Sequence, residues 1–242
     1  MKYKAIMFDL DGTLLPMNQE EFTGGYFKEL AKVLIPLGVD GQKLVPVIWA
    51  GTKDMAKNDG TCINKDRFWN RFREEMENGA GTDVDVDKCM EATDAFYGNE
   101  FHQAKKFTGE NPLAKEAVSA AREKCEKVVL ATNPIFPMVG QESRLSWVDL
   151  SKNDFDYITS YESESFGKPN PRYFSEVCKK MGFLPEECLM IGNDVKEDML
   201  AAKAAGMDSY LVTDYQILDS ETIWEGKQGT FREMIEMLRS LS

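Results

Sequence analysis

The chain has 242 residues and a formal net charge of −12, with 43% hydrophobic and 29% charged residues. That is enough for one large domain, or for a main domain carrying a smaller one, and it is the balance of an ordinary globular protein rather than a disordered or membrane-embedded chain. The acidic surplus argues against a nucleic-acid surface, which needs clustered Lys and Arg. No apolar run reaches the roughly 20 residues of a membrane-spanning helix, so neither a membrane nor a nucleic acid is expected as a partner. The five cysteines are scattered with no Cys-x-x-Cys pair, and read as reduced thiols in a cytoplasmic protein.

In chain order, the first buried-strand candidate covers residues 4–8, an apolar run that ends at Asp9. A long interval without a convincing strand follows. Its segments 20–37, 66–78 and 87–107 carry apolar residues at helical spacing, for example Phe68, Phe72 and Met76. The interval reads as a helical cap inserted at 16–108, with hinges at Pro16 and Thr108-Gly109, and the main domain reads as 1–15 plus 109–242. Within it, Trp49, Phe68, Trp69, Phe72, Phe96, Tyr97 and Phe101 are expected mostly in the cap's own core. His102, the single histidine, is expected as a partly exposed helix residue. Asp83, Asp85 and Asp87 lack the glycine and terminal glutamate of a calcium loop and read as a solvated turn.

After the interval, strands and helices alternate. Asn111 and Pro112 open a helix running to about residue 124. Further strand candidates are 127–131, 155–159, 188–191 and 209–212, with helices starting at Pro171 and covering 196–205 up to Gly206. Glu162 and Glu164 read as solvated loop charges. The alternation predicts an α/β fold, a doubly wound parallel five-stranded sheet whose ligands sit at the carboxyl ends of the strands.

Chemistry concentrates at those strand ends. Asp9-Leu10-Asp11-Gly12 puts two carboxylates on one side of a strand terminus, where their repulsion calls for a cation and hard oxygen ligands suit Mg²⁺. Gly12 permits a sharp turn. Three further segments follow in order: Leu130-Ala131-Thr132-Asn133, Gly167-Lys168-Pro169 and Gly192-Asn193-Asp194, the last continuing to Asp198.

Together these four segments resemble the haloacid dehalogenase superfamily, and they span nearly the whole chain outside the insert. The resemblance implies Asp9 as nucleophile, Asp11 as general acid and base, Thr132 and Asn133 as phosphoryl-binding residues, and Lys168 as the cation facing the phosphoryl group. It implies Mg²⁺ as cofactor, held by the Asp9 carboxylate, the Asp11 backbone carbonyl and Asp194, with Asp198 behind them fixing Lys168 or a metal-bound water. Asn193 stands where many members carry glycine or an acid. It can supply a further oxygen or complete the turn's hydrogen bonds. Haloacid dehalogenases generally lack the second aspartate, so Asp11 argues for phosphorus chemistry. A phosphatase acting on a small phosphorylated metabolite is expected, with a sugar-phosphate mutase or a non-catalytic phosphate-binding protein as alternatives. Nothing in the sequence sets the oligomeric state.

Overall fold

The computed structural model describes residues 2–242. Six parallel strands form one sheet in the order β3-β2-β1-β4-β5-β6. They are β1 (Ala5–Phe8), β2 (Lys127–Leu130), β3 (Tyr157–Ile158), β4 (Cys188–Gly192), β5 (Asp208–Val212) and β6 (Gln228–Gly229). The central strand β1 is apolar throughout because both of its faces are covered. Ile6 and Phe8 pack to one face with Ala117, Val118, Met234 and Leu238, whereas Ala5 and Met7 pack to the other with Tyr173, Phe174 and Val177. This alternation is the period-two geometry of a strand.

Two differences from the expected sheet have local causes. The sixth strand is two polar residues at the sheet edge, too short to show alternation in the sequence. Strand β3 contracts to Tyr157 and Ile158, paired only with β2.

Between β1 and β2 lie α1 (Gln19–Leu34), α2 (Leu44–Ala56), α3 (Asn64–Glu75), α4 (Val86–Gly98) and a short tight helix at Glu100–Phe107. Helix α2 has no counterpart among the expected elements. Its first residues, Leu44-Val45-Pro46-Val47, read as a β-branched run broken by proline, yet Pro46 sits in the first turn, where a missing amide proton costs nothing. Helix α5 (Ala114–Arg122) leads into β2, and after β2 the helices are α6 (Met138–Ser146), α7 (Pro171–Met181), α8 (Ala201–Ala205) and α9 (Phe231–Ser240). Asn170 caps α7 by accepting from the Arg172 amide, and Gly182 closes it with φ 82°.

The two chain crossings into the insert lie side by side: Gly109 N donates to Pro16 O at 2.7 Å, and Met17 bridges to Thr108. On the far side, Asn64 ties α3 to the sheet domain, its amides donating to Glu164 O at 2.8 Å and Pro134 O at 3.2 Å. No helix is long and apolar enough to cross a membrane among the described residues.

Candidate active site

Each site segment follows a strand end, so the sheet's register sets the geometry. Asp9 continues the ladder beyond β1, its amide donating to Ile191 O at 2.9 Å, while Ala131 N donates to Phe8 O at 2.7 Å. The chain then folds back on itself over residues 10–15, with Gly12 N donating to Leu15 O at 2.8 Å. Gly12 has φ 84°, and a Cβ there would stand 2.2 Å from Asn193 Nδ2. Only glycine satisfies both conditions. Gly192 is needed for space alone, since a Cβ would meet Asp198 Oδ2 at 2.1 Å.

Asp9, Asp11, Thr132, Asn133, Lys168, Asn193, Asp194 and Asp198, the eight residues to which the sequence assigns a catalytic, phosphoryl-binding or metal-side role, all border a single cavity. Lys168 is 2% exposed and bridges two acids, its Nζ lying 2.8 Å from Asp9 Oδ1 and 2.6 Å from Asp198 Oδ1. Burial works against its charge, but Asp198 and Asp9 outweigh that and hold Lys168 well above its ordinary value. The other Asp198 oxygen accepts from the Asn193 and Asp194 amides at 3.1 and 3.0 Å. Asp198 therefore fastens the lysine to the loop after β4.

Asp194 Oδ1 accepts from the Lys196 and Glu197 amides, both at 2.8 Å, and so caps the helical turn at Val195–Leu200. Asn193 is engaged at both ends of its amide: Oδ1 accepts from Thr13 Oγ1 at 3.2 Å and Nδ2 donates to Tyr215 O at 2.7 Å. The Thr132 carbonyl is fixed by the Thr159 and Tyr173 hydroxyls at 2.7 and 2.9 Å. Asn133 donates to Lys168 O and to Glu197 Oε2, at 3.3 and 3.0 Å.

Three polar residues at or behind the site were not singled out in the sequence. Arg144, on α6, is 0% exposed and donates to Asp11 Oδ2 and to Gln141 Oε1. Its guanidinium lies 4.2 Å from the Phe136 ring centre. Burial pushes the Asp11 carboxyl up and Arg144 opposes that shift. Asp11 Oδ1, by contrast, is buried with no hydrogen-bond partner. One oxygen of Asp11 is thus anchored and the other is uncommitted. The Gln141 and Arg144 spacing of one helical turn is the only sequence signal of this pair. Glu197 lines the cavity, and burial raises its carboxyl to about 7.

Outside the cavity, two expectations need correction. Glu164 is not solvated: it is fully buried, accepting from Tyr157 OH at 2.5 Å and from Lys180 Nζ at 2.8 Å. Glu162 accepts from the Met138 amide at 3.0 Å and so sets its charge at the N-terminus of α6. His102 is exposed, with Trp147 Nε1 donating to its Nδ1 at 3.0 Å. Asp85 caps α4 and Asp87 pairs with Arg73 at 3.0 Å. Of the insert's aromatics, Phe72, Phe96 and Phe101 are core, whereas Trp49, Phe68, Trp69 and Tyr97 form part of the cavity wall.

The donor chemistry fits a hard cation. Asp9, Asp11, Asp194, Glu197 and Asp198 surround the polar end of the cavity, against Lys168 and Arg144 as counter-charges, so acid is in surplus. Among the described residues no three His, Cys, Asp or Glu side chains form a ready metal cage. A divalent ion here would take two carboxylates and complete its shell with backbone oxygen and water, the habit of Mg²⁺.

Over 87 residues the chain is 34% identical to the glyceraldehyde 3-phosphate phosphatase of Methanothermobacter thermautotrophicus, a match covering 36% of this chain and 38% of that protein. The aligned part thus spans well under half of that relative. The fold is shared with YfnB of Bacillus subtilis, solved bound to magnesium, at TM-score 0.60 and 17% identity over 98% of this chain and 99% of that one. It is shared equally with CbbY of Rhodobacter sphaeroides in complex with phosphate, at TM-score 0.60 and 17% identity over 96% of both chains. The family model for haloacid dehalogenase-like hydrolases matches residues 3–206. With that span including all four strand-end segments, the chain belongs to the haloacid dehalogenase-like hydrolases.

Proposed function

We propose that the chain is a magnesium-dependent phosphomonoesterase that acts on a small phosphorylated metabolite through a phosphoryl group carried on Asp9. The observation that carries this reading is the convergence of Asp9, Asp11, Lys168 and Asp194 on one cavity, with one Asp11 oxygen anchored by Arg144 and the other uncommitted.

Asp9 attacks phosphorus, its carboxylate oxygen forming the new P–O bond as the ester P–O bond breaks. Asp11 gives a proton to the departing alkoxide, then takes one from the water that releases inorganic phosphate and restores Asp9. Lys168 sets its charge beside the attacking carboxylate and the incoming phosphoryl oxygens. Thr132 and Asn133, at the end of β2, supply donors to those oxygens. Magnesium, when bound by Asp9, Asp194 and the Asp11 carbonyl, would offset the negative charge of nucleophile and phosphoryl group. The helical insert serves as a lid hinged near Pro16 and Gly109, excluding bulk water from the acyl-phosphate.

The test is hydrolysis of an aryl phosphate with and without Mg²⁺, with acid-quenched samples analysed by mass spectrometry for phosphate on the Asp9 peptide. Metal-dependent turnover with that adduct is expected. Transfer of the phosphoryl group to a sugar phosphate in place of water would make the chain a mutase, and tight binding without turnover a binder. Either result overturns the proposal.

A further inference from the structure

The cavity has two chemically unlike ends, and the second one bears on which phosphate ester enters. At the strand ends it is lined by the acids and Lys168. The cavity as a whole has a volume of about 380 Å³, and toward the insert it runs between α1, α2 and α3 past Phe22, Phe27, Leu30, Ile48, Trp49 and Phe68. A dry cavity of about 150 Å³ accepts benzene, so there is room for a phosphoryl group and one ring system.

Part of the hydrogen-bonding capacity on that wall is used within the protein. Tyr26 and Tyr97 share a hydrogen bond of 2.7 Å between their hydroxyls. Thr52 and Thr93 donate back to the Ile48 and Cys89 carbonyls, at 2.9 and 2.7 Å. The Tyr161 hydroxyl accepts from Trp69 Nε1 at 3.5 Å. The polar groups left unspent there are few: the Gln19 and Thr23 side chains, the Trp49 indole N–H, and the hydroxyl protons remaining on Tyr161 and on one of Tyr26 and Tyr97. A polyol hydroxyl that reaches none of these few groups loses its water unpaired, at about a tenfold cost in affinity.

Charge points the same way. Among the described residues Lys168 is the one cation on the cavity wall, and it already faces two carboxylates. A second phosphate or a carboxylate at the insert end would be desolvated with no counter-charge. Trp49, meanwhile, is 51% exposed at the rim, edge-on to Phe27 with ring centres 5.9 Å apart. An aromatic left half-bare on a cavity wall gains burial when an apolar group lies against it.

We infer that this cavity selects phosphomonoesters whose alcohol portion is apolar, an aryl or arylalkyl group with at most one or two polar atoms, over sugar phosphates and bisphosphates. The inference rests on the phosphomonoesterase reading, and the experiment separates the two. Leaving-group chemistry is matched by using alkoxide esters throughout: benzyl phosphate and 2-phenylethyl phosphate against glycerol 3-phosphate, glucose 6-phosphate and fructose 1,6-bisphosphate, all with Mg²⁺. Benzyl phosphate is expected to exceed glycerol 3-phosphate in kcat/KM by about 30-fold or more, the discrimination that burial of one ring provides. Trp49→Gln and Phe27→Gln should lower that ratio about tenfold.

Faster turnover of a sugar phosphate than of benzyl phosphate overturns the inference and leaves the phosphatase reading standing. Hydrolysis of no ester removes the phosphatase reading, and calorimetry with benzylphosphonate and methylphosphonate then decides the cavity's preference by itself. Benzylphosphonate binding at least tenfold tighter keeps the apolar selection, whereas equal binding ends it.

Discussion

Replacing Arg144 by methionine tests whether the buried pair behind Asp11 holds the site together. Methionine refills much of the aliphatic volume but removes the donors to Asp11 Oδ2, Gln141 Oε1 and, at 3.4 Å, the Gly140 carbonyl. Removing one partner of a buried ion pair costs about 3–5 kcal/mol. The Asp11 side chain is 22% exposed, so water recovers part of that, and the lower end of the range applies. A further loss of about 1 kcal/mol is expected from the stranded Gln141 oxygen, for a total of about 4 kcal/mol. The loss should depend on pH. Burial already raises Asp11 above its unfolded value, and Arg144 is the main opposing influence, so the variant raises it further. Between the unfolded and folded values the folded chain then binds more protons, and stability falls as pH rises through that window. The deficit should be small near pH 4 and larger at pH 8. Adding Asp11→Asn removes the uncompensated charge and should restore about 1–2 kcal/mol to the Arg144→Met chain at pH 8. Urea unfolding of the single and double variants at both pH values, with m unchanged, measures all of this. A loss under about 0.5 kcal/mol at pH 8, or strict additivity of the two substitutions, refutes the pair as a structural anchor.

Activity should vanish in excess chelator, and Asp194→Asn should raise the Mg²⁺ concentration at half-maximal rate at least tenfold by removing a charged donor; full activity in chelator would sink the metal assignment. Asp9→Asn should abolish turnover of every ester. Asp11→Asn should accumulate phosphorylated Asp9 with an aryl phosphate, whose leaving group needs little protonation, and show almost no burst with an alkyl phosphate; wild-type rates with both would remove Asp11 as the proton carrier. If the insert closes over the site, Asn64→Ala, which deletes the side-chain bond to Pro134 O, should favour the open form and expand the scattering profile without a phosphate analogue. An identical profile for both proteins, with and without the analogue, would leave the lid without support.

What the sequence disclosed and what it hid divide along one physical line. Asp9, Thr132 and Asp194 are legible because each follows an apolar run by a residue or two, and a parallel strand delivers its next side chains to the sheet's carboxyl edge whatever surrounds it. Lys168 lies on a loop, between β3 and α7, and is legible only through its motif. Arg144 was hidden because nothing local buries it: its partner Asp11 is 133 positions away, and in Gly140-Gln141-Glu142-Ser143-Arg144 it reads as part of a solvated helix face. Glu164 was hidden in the same way, since Tyr157 and Lys180 reach it from β3 and α7. The insert posed a different difficulty. A helix face that packs on its neighbours and one that lines a cavity are both apolar at a period of 3.6, so Phe72 and Phe68 are indistinguishable until the helices are placed. Reaction chemistry, carried by polar residues in a hydrophobic pattern, stands out against its background. The selectivity inferred above would be carried by apolar residues among other apolar residues, and a wall that binds differs from a core that packs only in bordering the cavity, which no local pattern in the sequence records.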